Sequence, residues 1–234
     1  MFHFKKFSID DSQSAMKIGT DAVLLGAWAP CSTETSILDI GAGSGILALM
    51  MAQRNPGVPV DAVEIDHDAA VSATHNAKLS PWHSSIHIIN TSLQVFFLDK
   101  QAGYSLVICN PPFFTNSLKA PDAARSKARH NDSLPVDELL FITSRLLNLN
   151  GKASFILPAA DVENWLAVAS SCNLHLTHCT LVRSYTDREP HRALLSFCRT
   201  PQTVIAKNEI CIYSGRNTYS SEYKALTRDF YLKF

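Results

Sequence analysis

The sequence predicts an α/β fold in which a seven-stranded, mostly parallel sheet carries helices on both faces and ends in a C-terminal antiparallel hairpin. Three observations support this prediction. Short apolar runs alternate with longer stretches of helical periodicity, the order expected of a doubly wound sheet. Two of the apolar runs end in unusual turns, one rich in glycine at residues 41–45 and one with two prolines at residues 111–112. The last two apolar runs have no helical stretch between them.

The order of the elements follows from these runs. Strands are predicted at residues 36–40, 60–64, 84–90, 105–109, 152–157, 175–183 and 192–199. Helices are predicted where apolar residues recur every three to four positions, at residues 21–28, 44–53, 68–79, 136–147 and 161–171. The first five strands are separated by longer connections and are therefore expected to be parallel, whereas the last two form an antiparallel pair. No repeat or linker interrupts the order, so one domain over residues 1–234 is expected.

The composition agrees with a globular protein. The chain has 234 residues, and 46% of them are hydrophobic, which is sufficient for a full core. The apolar stretches are short, so no membrane span is expected, and the N-terminus has no apolar signal segment. The six scattered cysteines form no C-x-x-C pair, and the histidines lack metal-ligand spacing. We therefore expect a cytoplasmic protein without a metal site. The sequence does not fix the oligomeric state, and a monomer is the expectation.

The glycine-rich turn follows the first strand and contains three glycines, Gly41, Gly43 and Gly45. Glycines permit a turn with positive φ and let a ligand approach the backbone, next to the unpaired N–H groups of a helix N-terminus. The second strand ends in Glu64, whose carboxylate can accept hydrogen bonds from a ribose diol. A dinucleotide fingerprint requires a small residue where this chain has Ile46. The spacing after Asp39 instead favours a ligand with an amino-acid tail and a ribose but no pyrophosphate, which describes S-adenosylmethionine.

The second unusual turn is the tetrapeptide Asn110-Pro111-Pro112-Phe113, directly after the fourth strand. Two prolines cannot extend a central strand, because neither donates a ladder hydrogen bond. In open α/β sheets, ligands bind at the carboxyl ends of the strands. There the Asn110 side-chain oxygen and the Pro111 carbonyl can accept both hydrogens of one planar NH2 group, and the Phe113 ring can stack on the group that carries it. The alternative is a tight strand-to-loop turn with a core phenylalanine.

These motifs, together with segments near both ends of the chain, resemble a known family. The segments at residues 15–28, 38–45, 110–113, 190–197 and 219–232 look like those of the bacterial tRNA1(Val) (adenine-37-N6)-methyltransferases. The similarity extends over nearly the whole chain. It implies the Rossmann-like fold of class I methyltransferases, S-adenosylmethionine as the cofactor and tRNA as the partner. The family methylates the exocyclic amine of the adenine just 3′ of the anticodon in one valine tRNA.

The resemblance also assigns roles to individual residues. Methyl transfer is expected to depend on Asn110, Pro111, Pro112 and Phe113. The cofactor is expected to contact, besides Asn110, the residues Lys17, Thr20, Asp39, Gly41, Gly43, Gly45, Glu64, Ile65 and Ser92. Asp39 would meet the ammonium group of the cofactor, directly or through water; the alternative is a carboxylate that only caps the loop. Glu64 would hold the ribose hydroxyls and Ile65 would pack on the adenine ring.

One position departs from the family. Its members commonly carry an aspartate near the end of the third strand, where it binds the adenine amine of the cofactor. This chain has Ser92 at that place. A hydroxyl accepts such a hydrogen bond more weakly than a carboxylate does, so the departure bears on cofactor affinity rather than on the type of reaction.

A basic segment follows the double proline. Residues 115–135 show no apolar periodicity and contain five basic side chains, Lys119, Arg125, Lys127, Arg129 and His130. We expect this segment to grip RNA, together with Arg192 near the last hairpin, because long loops beside active sites usually serve a purpose. A solvated surface loop is the alternative. Since the chain has 21 basic and 21 acidic residues, any RNA affinity must come from a local patch.

Three other functions remain open from the residues alone. Release-factor glutamine methyltransferases share the Asn-Pro-Pro-aromatic motif, because a carboxamide NH2 presents the same two donors, but they usually carry a helical domain before the glycine turn. Guanine-N2 methyltransferases of ribosomal RNA also use the motif, typically within longer, duplicated chains. The third alternative is a noncatalytic RNA- or cofactor-binding module, which would not need paired acceptors for one NH2 group.

Overall fold

Strands and helices alternate along the chain, which a computed structural model describes over residues 1–10, 18–31, 34–100, 103–112 and 134–233. The strands in these ranges are β1 (Phe2–His3), β2 (Ser8–Ile9), β3 (Ile37–Ile40), β4 (Val60–Glu64), β5 (Ile86–Asn90), β6 (Tyr104–Cys109), β7 (Leu147–Pro158), β8 (His175–Arg183), β9 (Arg192–Cys198), β10 (Ala206–Cys211), β11 (Tyr213–Gly215) and β12 (Thr218–Tyr219). The α-helices are α1 (Thr20–Trp28), α2 (Ile46–Arg54), α3 (His67–Lys78), α4 (Leu93–Asp99), α5 (Val136–Leu146), α6 (Val162–Ser171) and α7 (Ser221–Thr227). Within the described ranges, no helix is long and apolar enough to cross a membrane.

Eight of these strands form one sheet, in the order β10-β8-β9-β7-β6-β3-β4-β5. In this sheet β9 is antiparallel to both of its neighbours, β7 and β8, and the other described pairings are parallel. The predicted mostly parallel sheet with a closing antiparallel pair is confirmed. The sheet has one strand more than predicted.

The additional strand is β10, which pairs with β8 over its whole length and forms one edge of the sheet. Its three central residues, Lys207, Asn208 and Glu209, are polar and exposed. The apolar run that identifies a buried strand is therefore missing. Charged side chains are common on edge strands, because they discourage pairing with another molecule.

The two faces of the sheet contact separate hydrophobic clusters. In β6, Leu106 and Ile108 pack on the side of α1 and α2, whereas Val107 and Cys109 pack on the side of α5 and α6. Such alternation is expected of a strand, in which successive side chains point to opposite faces. The prediction of helices on both faces is confirmed.

The boundaries of several elements differ from the sequence predictions. Strand β7 begins at Leu147, directly after α5, whereas the sequence predicted residues 152–157. Helix α4 was not predicted, because it has only seven residues. It is held by burial of Leu93 and Phe96 and by the side chain of Ser92, which accepts a hydrogen bond from the N–H of Val95.

The parallel strands run in the same direction, so their carboxyl ends lie together at one end of the sheet. We call this end the carboxyl-end edge; it differs from the two edges formed by the outermost strands, β10 and β5. At this edge the last residue of β3, Ile40, pairs with Val63 of β4 on one side and with Cys109 of β6 on the other. The turns that follow these three strands are therefore neighbours, although the sequence separates them widely. The glycine-rich turn and the double proline meet there.

Candidate active site

A cavity of about 400 Å³ opens at the carboxyl-end edge, among the residues that follow β3, β4, β5 and β6. Its volume lies in the range of small-molecule sites. Eight of the residues predicted to form the site line this cavity: Gly41, Gly43, Glu64, Ile65, Ser92, Asn110, Pro111 and Pro112. Residues from four separate turns are thus gathered at one place.

The glycine-rich turn is held against β4. The N–H groups of Gly41 and Ala42 both donate to the carbonyl of Val63, at 2.9 and 3.1 Å. Gly41 and Gly43 have positive φ values of 74° and 56°. A side chain at either position would meet no atom within 4 Å, so the turn requires glycine for its backbone conformation and leaves open space beside the backbone.

Glu64 fixes the far side of this turn. One carboxylate oxygen accepts the N–H of Gly43 at 2.7 Å, and the other accepts the N–H of Asp66 at 2.8 Å. The side chain therefore joins the glycine-rich turn to the loop after β4. Each carboxylate oxygen can accept more than one hydrogen bond, so the group can still receive the hydroxyls of a ribose.

Asn110 contributes the most informative polar atom of the cavity. Its side-chain oxygen is buried and has no hydrogen-bond partner among the described residues. An unpaired buried acceptor costs about 1–3 kcal/mol, so native proteins rarely keep one without a reason. Because Asn110 directly follows β6 and lines the cavity, its unpaired oxygen is a candidate acceptor for a ligand bound there.

Asp39 lies beneath the cavity and does not line it. Its side chain is fully buried, and one carboxylate oxygen accepts the N–H of Ala48, in the first turn of α2, at 3.0 Å. The other oxygen has no partner among the described residues. Burial raises the pKa of Asp39 to about 7; the hydrogen bond from Ala48 opposes this shift, and the charge of Glu64 adds to it. These contacts favour the capping role, and contact with a cofactor ammonium stays a prediction.

Two further predicted cofactor residues lie outside the cavity lining. Gly45 has a φ of 84°, and a side chain here would approach the Cβ of Ala73 at 3.3 Å, so this glycine lets α2 begin close to α3. Thr20 is the exposed first residue of α1. Lys17 lies outside the described residues.

Ser92 and Ile65 both line the cavity, and both are predicted to contact the adenine ring of the cofactor. The hydroxyl oxygen of Ser92 accepts the N–H of Val95 at 3.2 Å and so caps α4. This hydrogen bond leaves the oxygen less free to accept a cofactor amine. Ile65 is 56% exposed, which is unusual for an isoleucine and consistent with a surface that a flat ligand would cover.

The sequence reasoning missed seven cavity-lining residues, namely Ile40, Val63, Thr91, Leu93, Gln94, Cys109 and Leu134. Most of them immediately precede or follow a strand end, and this position was a usable signal. Gln94 also donates to the carboxylate of Glu138 at 2.9 Å, which ties α4 to α5. Burial raises the pKa of the Cys109 thiol well above its ordinary value, which disfavours the reactive thiolate form.

Most of the predicted RNA-binding residues lie outside the described residues. Phe113 and the basic side chains Lys119, Arg125, Lys127, Arg129 and His130 lie outside the described residues. Arg192 is described, and its Nε donates to the carboxylate of Asp21 at 2.8 Å, which joins β9 to α1. A structural role for Arg192 is thus visible, and its contact with RNA stays a prediction. In the described part of the chain, no three His, Cys, Asp or Glu side chains are placed to hold a metal ion.

The residues around the cavity fit S-adenosylmethionine. The open backbone at Gly41 and Gly43 leaves room for its amino-acid tail, the Glu64 carboxylate suits its ribose, and the exposed Ile65 suits its adenine. A doubly wound sheet with β9 inserted antiparallel, and with this cavity at its carboxyl-end edge, is the architecture of a class I methyltransferase. The protein is an enzyme of this class.

Comparisons with known proteins agree. Residues 12–130 match the family model of the methyltransferase small domain. A solved structure of a predicted O-methyltransferase from Agrobacterium tumefaciens superposes with a TM-score of 0.72, covering 90% of this chain and 96% of that one at 17% identity. A second solved structure, geranyl diphosphate methyltransferase in complex with geranyl diphosphate and sinefungin, has a TM-score of 0.53 at 14% identity and covers 76% of each chain. These structural neighbours support the fold.

Relatives in sequence identify the family within this class of methyltransferases. The tRNA1(Val) (adenine(37)-N6)-methyltransferase of Flavobacterium psychrophilum is 41% identical over 234 residues, which is the whole of both chains. The protein of the same name from Aeromonas hydrophila is 40% identical over 233 residues, covering 99% of this chain and 97% of the relative. The chain therefore belongs to the tRNA1(Val) (adenine(37)-N6)-methyltransferase family, which confirms the resemblance stated from its motifs.

Proposed function

We propose that this protein methylates the exocyclic N6 amine of adenine 37 in tRNA1(Val), with S-adenosylmethionine as the methyl donor. The observation that carries this proposal is the buried side-chain oxygen of Asn110, which has no partner among the described residues and lines the cavity next to Pro111. An amine with two N–H donors supplies the missing partner. The names of the relatives indicate which amine it is.

The paired acceptors address the main chemical difficulty of the reaction. The amine of adenine is a poor nucleophile, because its lone pair is delocalised into the ring. Hydrogen bonds from its two N–H groups to the Asn110 side chain and the Pro111 carbonyl favour a more tetrahedral nitrogen, which frees the lone pair. The sulfonium of S-adenosylmethionine supplies an electrophilic methyl group. The amine becomes acidic only as the new bond forms, so no strong general base is required.

The remaining cavity residues hold the reactants in place. The backbone at Gly41 and Gly43 receives the methionine part of the cofactor, Glu64 accepts from the ribose hydroxyls, and Ile65 packs on the adenine. Positioning of this kind accounts for a large share of the rate in many enzymes, because two bound reactants no longer need to meet by diffusion.

The target adenine must leave the RNA stack to reach the cavity. Phe113, which lies outside the described residues, is expected to stack on the flipped base. The basic side chains at residues 119–130 and Arg192 are expected to contact the phosphate backbone. Phe113 and residues 119–130 support this proposal by following Asn110 in the sequence. Arg192 supports it by its place at the start of β9, close to the carboxyl-end edge.

The decisive test is the chemical identity of the product. The protein is incubated with labelled S-adenosylmethionine and, in parallel, with unmodified total tRNA, ribosomal RNA and a release factor. We expect the label in tRNA, as N6-methyladenosine, identified by nucleoside digestion and mass spectrometry. Methylglutamine in the release factor would show that the protein is a glutamine methyltransferase. N2-methylguanosine in ribosomal RNA would show that it is a guanine-N2 methyltransferase.

A further inference from the structure

Four tyrosine rings form a stacked column that reaches the protein surface. The ring centroids of Tyr185 and Tyr213 are 5.3 Å apart, those of Tyr213 and Tyr219 are 5.0 Å apart, and those of Tyr219 and Tyr223 are 5.1 Å apart. The angles between successive ring planes are 28°, 24° and 17°, so the rings are close to parallel. Tyr223 is 1% exposed and Tyr185 is 36% exposed. The column therefore rises from the core and ends with an open ring.

The open end of the column is held in place by its own loop. Tyr185 begins a turn in which its carbonyl accepts the N–H of Arg188 at 3.1 Å. The guanidinium of Arg183 donates to the carbonyl of Thr186 and also pairs with Glu209 of β10 at 2.7 Å. Because turn and ring are fixed before any ligand arrives, stacking on Tyr185 loses little conformational entropy.

Tyr185 lies at the carboxyl-end edge of the sheet, as the active site does. Strand β8 runs parallel to β6, so the turn after β8 emerges at the carboxyl-end edge, as Asn110 does after β6. Three strand spacings separate β8 from β6 in the sheet, which corresponds to a lateral distance of about 14 Å. A molecule that places one base at Asn110 and extends a few nucleotides along this edge would reach Tyr185.

We propose that Tyr185 is a stacking platform for a second, unpaired base of the tRNA, a neighbour of the adenine that is methylated. This inference rests on the proposed function. RNA loops present unpaired bases that stack on aromatic side chains, and such stacking does not depend on the identity of the base. The Tyr185 ring is the last ring of the column, so one base can stack on its outer face and continue the column.

The surroundings of Tyr185 favour a base over a protein partner. The exposed residues of the turn carry both signs of charge, Asp187, Arg188 and Glu189. A single open ring among such side chains is far smaller than the area that a stable protein interface needs, about 800 Å² per partner. One exposed ring is sufficient for one base.

The test compares two substitutions of Tyr185 with a matched control. Tyr185→Leu keeps an apolar side chain against Tyr213 but removes the aromatic face, and should raise the Kd for tRNA by about 5- to 140-fold. Tyr185→Phe keeps the face and should bind tRNA as the wild type does. Phe2 is 38% exposed, its ring lies 4.7 Å from that of Phe4, and it belongs to the N-terminal hairpin, so Phe2→Leu should leave the Kd for tRNA unchanged. S-adenosylmethionine affinity and Tm should be unchanged in all three variants.

A fluorescent base identifies the contact directly. Anticodon stem-loops carrying 2-aminopurine at one loop position other than 37 should show quenching with the wild type at one position, and this quenching should be lost in the Tyr185→Leu variant. Equal tRNA affinity and equal quenching for the wild type and Tyr185→Leu would overturn the proposal, as would an equal loss in Phe2→Leu. A wild type that forms no N6-methyladenosine would instead contradict the proposed function, so the two failures are distinguishable.

Discussion

Asn110 keeps a buried side-chain oxygen without a partner among the described residues, a condition that lowers the stability of a folded protein. The same oxygen lines the cavity beside a double proline that stiffens the backbone. In the proposed function, an N–H group of the substrate amine is the partner of this oxygen. Interactions that strengthen as the reaction proceeds are the ones that raise the rate.

Replacing Asn110 by alanine should separate catalysis from binding. The rate of methyl transfer should fall by about 100-fold or more, because the lost contact matters most when the nitrogen becomes tetrahedral. Affinity for S-adenosylmethionine should barely change, since the glycine-rich turn and Glu64 are untouched. Single-turnover kinetics and calorimetry measure the two effects.

Asn90 provides the matched control, because it is the last residue of β5 at the carboxyl-end edge, but its side chain donates to the carbonyls of Glu64 and Ile65. Asn90→Ala should weaken cofactor binding more than it slows transfer. Turnover by Asn110→Ala close to that of the wild type would contradict the role assigned to Asn110.

Asp39 should make the stability of the protein depend on pH. The pKa of this carboxyl is raised from 3.8 to about 7 by burial, so between these values the folded protein keeps a proton that the unfolded chain has lost. The free energy of unfolding should therefore fall as the pH rises from about 4 to 7, by at most about 1 kcal/mol per pH unit, and should level off above 7.

The Asp39→Asn variant cannot titrate and still offers an oxygen to the N–H of Ala48. Its unfolding free energy, measured by urea titration at pH 5 and pH 7, should lack this part of the decrease. The same slope in the wild type and in the variant would show that Asp39 titrates normally in the folded state.

At the scale of the element, Ser92 connects α4 with the cavity. Ser92 lines the cavity and caps α4 through the N–H of Val95. Ser92→Ala should cost about 1 kcal/mol of stability through the lost cap. Ser92→Asp should keep the cap, since aspartate is an equally good N-cap residue, and should bind S-adenosylmethionine more tightly, because a carboxylate accepts from the adenine amine more strongly.

Calorimetry with the cofactor and thermal unfolding of both variants separate these two roles. The Ser92→Asp variant should gain affinity without losing stability. If it binds the cofactor no more tightly than the wild type, Ser92 has only the structural role and the adenine amine is bound elsewhere.

The central strands of the sheet could be predicted because they are buried on both faces. Strand β6 is mostly apolar because both faces of the sheet are covered there, and the resulting apolar run is recognisable in the sequence. The edge strand β10 has exposed polar residues at its centre, so its sequence does not differ from that of a loop. The pairing with β8, a contact distant in the sequence, makes it a strand.

At the scale of the whole molecule, topology decides which predicted residues meet. The parallel arrangement of β3, β4 and β6 could be inferred from the sequence, and it brings the glycine-rich turn, Glu64 and Asn110 to one cavity. The burial of Asp39 could not be inferred, because it depends on where α2 begins relative to β3. The tyrosine column was also not predictable, since the loop after β8 and the segment from β11 to α7 contribute its rings.

The identity of the methylated nucleotide is the central claim, and one measurement tests it most directly. Transcripts of tRNA1(Val) with adenine or guanine at position 37 are incubated with the protein and labelled S-adenosylmethionine under the same conditions, and the methyl groups transferred per transcript are counted. We predict close to one methyl group for the adenine transcript, recovered as N6-methyladenosine, and none for the guanine transcript. Equal labelling of the two transcripts would contradict the account, because methylation would then occur at another nucleotide.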